Sequence, residues 1–176
     1  MPSNPDSRSS PAVGTVVDIS QLIGNVQIGA VRAVEAAMRT SMNGQGEIET
    51  GEAKIGYTAR VPQSPKNGLF IVRVDFAFGL QRVSADAGAT TDVAVNVSFE
   101  LTYRVPDNIA TTEEQLAAFA NVNGVFNAWP YFREFVHASL SRMGLPPFIL
   151  PVYRVSPLMQ ETADKKPKPG SPAATR

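Results

Sequence analysis

Two stretches of this chain alternate so strictly that they leave little choice of fold. From Leu69 to Val83, the residues Phe70, Val72, Val74, Phe76, Phe78 and Leu80 share one parity, while Arg73, Asp75 and Gln81 take the other. From Asp92 to Val105, Val93, Val95, Val97, Phe99, Leu101, Tyr103 and Val105 alternate with Asp92, Asn96, Ser98, Glu100, Thr102 and Arg104. Successive side chains of a strand point to opposite faces, so this pattern predicts antiparallel strands with one face buried and one wet. The small, polar linker Ser84 to Thr91 suits a hairpin between them. A third alternation runs from Glu47 to Val61, with Ala53, Ile55, Tyr57, Ala59 and Val61 opposed to Lys54, Gly56, Thr58 and Arg60. It follows a turn at Met42 to Gly46 and precedes a loop from Pro62 to Gly68 that holds Pro62 and Pro65.

Asn25 to Ser41 fits two patterns. As a strand it places Val26, Ile28, Ala30, Val34, Ala36 and Met38 on one face, with Arg32 intruding. As a helix it aligns Leu22, Val26, Ala30, Ala33 and Ala37, and its Ala and Glu content suits that form. Periodicity alone does not choose between them. Ala12 to Gly24 is apolar without a pattern. Met1 to Pro11 is rich in Ser, Pro and Asn and reads as a disordered arm, 1–11.

Past Val105 the period changes. Thr112 caps a short helix, and Thr112 with Gln115 has capping-box spacing. Glu113 and Glu114 suit the positive end of its dipole, and Asn123-Gly124 is expected to break it. A longer helix follows, with Asn127 as its expected N-cap and Pro130 in its first turn. Trp129, Phe132, Val136, Leu140 and Met143 recur at steps of three and four, the stripe such a helix buries. Gly144 ends it, and Pro146 and Pro147 forbid continuation. Phe148 to Tyr153 is then an apolar extended run, which must pack on a sheet or receive something apolar. Ser156 to Arg176 loses pattern, and 158–176, with Lys165, Lys166 and Lys168, reads as a disordered basic tail.

Strands followed by helices imply an α+β fold: a four-stranded antiparallel sheet with a short and a long C-terminal helix on one face. At 176 residues the chain can hold one domain, 12–157, with a real core.

The segment from Thr112 to Pro151 resembles SecB, the bacterial export chaperone. The resemblance rests on Thr112-Glu113-Glu114-Gln115-Leu116-Ala117-Ala118-Phe119 with Gly124-Val125-Phe126, then Pro130-Tyr131-x-Arg133-Glu134, then Gly144-Leu145-Pro146-Pro147-x-Ile149-Leu150. It covers about forty residues and is nearer to the divergent SecB-like branch than to the standard export chaperone. It implies a strand at Asn25 to Ser41 and subunits that pair as dimers of dimers, a homotetramer. It also implies an ATP-independent holdase that binds unfolded or pre-export polypeptides. In the family the client passes to SecA, and the SecB-like branch includes chaperones dedicated to one antitoxin. The family's motor contacts use an acidic sheet surface and a particular C-terminal tail. Here Arg73, Asp75, Glu100 and Arg104 mix on the exposed faces and the tail is rich in Lys and Pro, which sets the SecA step apart.

The residues themselves point the same way. Phe70, Phe76, Phe78, Phe148, Ile149, Leu150 and Tyr153 exceed what a closed core obviously needs. They suit core, oligomer interface or an open groove. The expected client-binding groove consists of Phe76, Phe78, Leu145, Phe148, Leu150, Val152 and Tyr153, held rigid by the Pro-Pro turn. A non-chaperone assembly protein on the same scaffold is the alternative.

Other classes find little support. The single His and the lack of Cys leave no metal-ligand set and no disulfide. No Gly-rich loop joins a strand to a helix, so no nucleotide or other cofactor is expected. His137 has Glu134 and Ser141 nearby on the helix, but a surface or interface role suits it better than catalysis, and the chain is not expected to be an enzyme. Arg133 and Glu134, adjacent on a helix, read as framework. A formal net charge of zero offers no field for nucleic acid, and three lysines on a tail are too few for tight binding. No apolar run is long enough to insert in a membrane, and the polar N-terminus does not read as a secretory signal. The expected compartment is the cytoplasm.

Overall fold

The computed structural model describes residues 17–41, 51–84 and 88–153. The expected arm, the 42–46 turn and the basic tail lie outside them. In chain order the elements are α1 (Ser20–Asn25), β1 (Gln27–Thr40), β2 (Gly51–Arg60), β3 (Leu69–Ser84), β4 (Gly88–Arg104), α2 (Glu113–Phe119), a π-helical turn (Ala120–Gly124) and α3 (Val125–Arg142). The four strands form one antiparallel sheet in the order β1-β4-β3-β2. The helical layer packs chiefly over β2, β3 and β4.

The alternation in β3 and β4 is realised residue for residue. Phe70, Val72, Val74, Phe76, Phe78 and Leu80 of β3, and Val93 to Tyr103 of the same parity in β4, are buried beneath the helices. The opposite parity forms an open face.

β1 is a strand, and the helical alternative for Asn25 to Ser41 is set aside. Its register against β4 shifts twice, between Ile28 and Ala30 and between Ala33 and Glu35. Gly29 and Val34 are therefore extra residues, as in β-bulges. The two shifts rephase the alternation, so Ile28, Val31, Ala33, Ala36 and Met38 face the same side as Tyr103, Leu101, Phe99, Val97 and Val95. Arg32 does not intrude on that face. It lies opposite Glu100 on the open face and pairs with it at 2.7 Å.

The expected helix break at Asn123-Gly124 does not occur. Ala120, Gly124 and Val125 all have right-handed helical dihedrals, so α2, the π-helical turn and α3 form one continuous path. Gly124 serves close approach instead: a Cβ there would lie 2.6 Å from Val72 Cγ1. Asn127 is correspondingly not an N-cap but an inner residue of α3, whose side-chain amide donates to the Tyr103 hydroxyl at 2.9 Å. Pro130 also lies inside α3. Its missing N–H leaves the carbonyl of Phe126 without a helical donor, and both residues sit on the exposed side, where water can serve. The capping box at Thr112 and Gln115 is present in both directions, at 3.1 Å each.

α3 ends as its sequence dictates. Gly144 takes φ +69, Leu145 N–H reaches Leu140 O, and Gly144 N–H reaches Ser141 O. This is a Schellman motif with its usual hydrophobic contact between the flanking leucines, both of them buried.

Candidate functional site

The Schellman turn sends the chain back along α3 as an extended strap, Gly144 to Tyr153. Two side chains one helical turn apart on α3 hold it there. Trp129 Nε1–H donates to the Pro151 carbonyl at 2.9 Å, and Arg133 Nε–H donates to the Leu150 carbonyl at 2.8 Å. The i, i+4 spacing puts both donors on one helix face, stacked along the axis. The strap can be held through its carbonyls because Pro146, Pro147 and Pro151 carry no N–H that would need a partner.

Beneath the strap lies an aromatic layer. Phe132 stacks on Phe76 with centroids 4.4 Å apart, and Trp129 meets both edge-on. Phe148 packs on Phe78 at 5.4 Å, while Tyr153 packs on Trp129 at 5.1 Å and on Tyr57 of β2 at 6.1 Å. The Tyr57 and Tyr153 hydroxyls share a hydrogen bond of 3.0 Å. Burial, and then that bond and the neighbouring phenol, push the Tyr153 hydroxyl up to about 12. The Tyr153 phenol therefore stays neutral throughout the physiological range.

The structure divides the seven expected groove residues. Phe76, Phe78, Leu145 and Leu150 are buried in the protomer's own core, so they support the site from below. Phe148 and Tyr153 are half-buried, and Val152 is 61% exposed. Ile149, part of the apolar surplus but left out of the expected groove, is 74% exposed beside them, and sequence reasoning did not add Ile55 and Tyr57 on the edge strand β2. Nor did it assign Trp129 and Arg133 as strap anchors. The signal available for Tyr57 was an aromatic on the apolar parity of a strand that otherwise carries small residues. For Arg133 it was a long donor one turn from Trp129.

The open face of the sheet is chemically different. Arg73 binds Asp75 at 3.0 Å, Glu35 at 2.7 Å and the Ser98 hydroxyl at 3.1 Å. Ser98 in turn donates to Asp75 at 2.6 Å, and Arg60 also pairs with Asp75. Partial burial alone would raise the Asp75 carboxyl, but the hydrogen bonds from Ser98, Arg73 and Arg60 overcome it and hold the group at about 2. Beside this network lies a shallow trough of about 500 Å³ floored by Ala37, Gly56, Ala77 and Asn96. The charges of this face are thus matched within it rather than presented as an acidic surface.

His137, Glu134 and Ser141 all stand exposed on α3, and among the described residues no hydrogen bond links His137 to either of the others. Among the described residues no helix is long and apolar enough to cross a membrane.

No family model matches the chain. Two curated relatives do: SecB-like chaperone Rv1957 and SecB-like chaperone MT2006, from two strains of Mycobacterium tuberculosis. Each is 31% identical over 117 residues, which cover 60% of this chain and 59% of the relative. The match therefore spans about three fifths of the relatives' length. The solved structure of the Mycobacterium tuberculosis Rv1957 SecB-like chaperone, in complex with a ChAD peptide from the Rv1956 HigA1 antitoxin, shares the fold with a TM-score of 0.63 at 22% identity. It covers 76% of this chain and 94% of that one. These relatives are chaperones rather than enzymes. The chain is thus similar in sequence to the SecB-like chaperones over three fifths of its length, and it shares the fold of one of them.

Proposed function

We propose that the chain is an ATP-independent holdase that binds unfolded polypeptide on the apolar surface between the strap and β2. The observation that carries this reading is the rigid exposure of Ile149 and Val152 on a strap whose neighbours Leu150 and Pro151 are fixed by Arg133 and Trp129. Apolar side chains held open in a preset geometry bind other apolar segments without first paying an ordering cost. Each Å² of apolar surface so covered contributes about 25 cal/mol.

A homotetramer, a dimer of dimers, suits the same molecule. The helix-side surface of β1 is left largely uncovered, with Ile28 and Met38 more than two fifths exposed, and Phe126 and Tyr131 are exposed on α3. Several client surfaces on one oligomer raise avidity without sequence specificity. The expected setting is the cytoplasm. The matched charges of the open face supply no acidic surface for SecA, which favours a client route outside export. A second reading, one dedicated client such as an antitoxin, is favoured by the antitoxin peptide in the relative's complex.

The test is suppression of aggregation of an unrelated unfolded protein at stoichiometric ratio without nucleotide, with the oligomer's mass measured in parallel. Suppression is expected, and Phe148→Ser with Val152→Ser should weaken it several-fold while mass and fold are kept. Leu150 is unsuitable as a probe because it is core. A folded oligomer that suppresses nothing would overturn the general reading and leave the dedicated one.

A further inference from the structure

We infer that Tyr153 is a resident plug: it fills an aromatic socket between α3 and β2 and holds it closed until a client displaces it. The inference deepens the holdase reading and rests on it. Four rings form a closed cycle. Phe76, 2% exposed, is its buried base and meets Trp129 at 6.0 Å and Tyr57 at 6.1 Å. Trp129 comes from α3 and Tyr57 from β2, so the two walls stand on different elements. Tyr153 completes the cycle, packing on Trp129 at 5.1 Å and edge-on to Tyr57 at 6.1 Å. The frame thus supplies three of the rings, and the end of the strap supplies the fourth.

That fourth ring is fastened differently from the rest of its segment. Leu145 and Leu150 anchor the strap in the core, and Arg133 and Trp129 hold the carbonyls of Leu150 and Pro151. Past that point the main chain of Val152 and Tyr153 makes no hydrogen bond to the described residues, and Val152 is 61% exposed. Tyr153 is held by its ring contacts and by one hydroxyl bond to Tyr57, which is itself 43% exposed. A neutral hydrogen bond that water can replace contributes little net stability. The φ of Pro151 is fixed by its ring, so the first free hinge is at Val152. Rotation there carries the Tyr153 ring out of the socket and leaves the anchored part of the strap in place.

A plug of this kind changes what the protein holds. With Tyr153 in place, Trp129 is only 6% exposed; with Tyr153 out, the sides of Trp129 and Tyr57 that it covered are open. A socket walled by aromatic rings accepts another ring, at the offset and edge-on spacings that Tyr153 itself uses. The occupant is therefore an aromatic side chain of the client. Because Tyr153 competes from within the same chain, apparent affinity is reduced to the fraction of molecules whose socket is open. A segment with one isolated aromatic residue loses that competition. A segment that also brings apolar residues to Ile149 and Val152 wins it, because its contacts act together. The plug thus sets a threshold on how apolar a segment must be before it is held.

The experiment uses the full chain and two fluorescent peptides of equal length, one alternating Phe with Thr and one alternating Leu with Thr. Affinity is read by anisotropy, with the oligomer's mass and fold checked for each variant. Tyr153→Ala empties the socket and should tighten the Phe peptide about tenfold, with the Leu peptide changed by less than about threefold. Tyr153→Phe keeps the ring, removes the shared bond and should tighten the Phe peptide about threefold. Tyr57→Phe should do the same, and the double variant should gain no more than either alone, since all three lose one and the same bond. Acrylamide quenching of Trp129, the chain's single tryptophan, should rise in Tyr153→Ala. Weaker or unchanged binding of the Phe peptide by folded variants would make Tyr153 a wall of the site or a bystander, and would overturn the plug. Equal gains for the two peptides would overturn the aromatic socket. Should Tyr153→Ala not fold, Tyr153→Phe and Tyr57→Phe decide alone. Failure of the unaltered chain to suppress aggregation would remove the holdase reading itself, whereas suppression retained with no gain in any variant would remove only the plug.

Discussion

The two faces of the sheet are built from the same strands and do opposite things with them. On the covered face, Phe70 to Leu80 and Val93 to Tyr103 vanish beneath one continuous helical path. On the open face, Arg73, Asp75, Ser98, Glu35 and Arg60 bind one another in water's reach. The first face supplies cohesion through area and dispersion, which grow with every atom buried. The second supplies little net stability, because exposed ion pairs are screened. The client surface proposed above would need both: a frame stiff enough to hold apolar groups open, and a far side that does not attract clients itself.

Three changes would break or sharpen this contrast. Phe132→Ala should have the largest effect, since Phe132 is fully buried and stacked on Phe76. A loss of about 3–5 kcal/mol is expected by denaturant titration, and the strap should loosen with it. Gly124→Ala should come next. The helix gains about 1 kcal/mol of propensity, but the new Cβ meets Val72 Cγ1 at 2.6 Å, and overpacking of that kind costs about 1–3 kcal/mol. Net destabilisation is expected, and in a Val72→Ala background the same change should become neutral or stabilising. A cycle showing no coupling between the two sites would contradict the close-approach role of Gly124.

The smallest effect belongs to the open face. The folded Asp75 carboxyl sits at about 2, below its ordinary value of 3.8. A depressed carboxylate contributes stability that is fully present above the unfolded value and is lost as pH falls through the folded one. The contribution should therefore be constant above about pH 4 and fade between about 4 and 2. Because the group is nearly a third exposed, screening limits it to the order of 1 kcal/mol. Asp75→Asn should flatten the acid limb of the stability–pH curve in that window and leave the neutral baseline lower by the same small amount.

The sequence was most legible where one period ran unbroken. β3 and β4 could be read to within a few residues because neither face changes parity across their apolar runs. β1 could not be settled, because its two bulges shift the parity twice within fourteen residues, and a shifted alternation imitates other periods. Gly124 misled for a different reason: a glycine that admits a neighbour and a glycine that ends a helix are the same letter. The strap was legible as an apolar extended run. Which of its residues were surface was not, since Leu150 and Ile149 are equally apolar and differ only in which side of the chain Arg133 and Trp129 pin down.

The prolines of the strap have one more consequence. A chain that displays both an open strand edge and an apolar extended segment is at risk of feeding one copy's segment to the next copy's edge, and so polymerising. Pro146, Pro147 and Pro151 cannot donate to a ladder, and Trp129 and Arg133 already hold the carbonyls of Leu150 and Pro151. The strap is thus a poor guest for the very surface it borders, so one copy's strap is ill suited to extend the next copy's sheet.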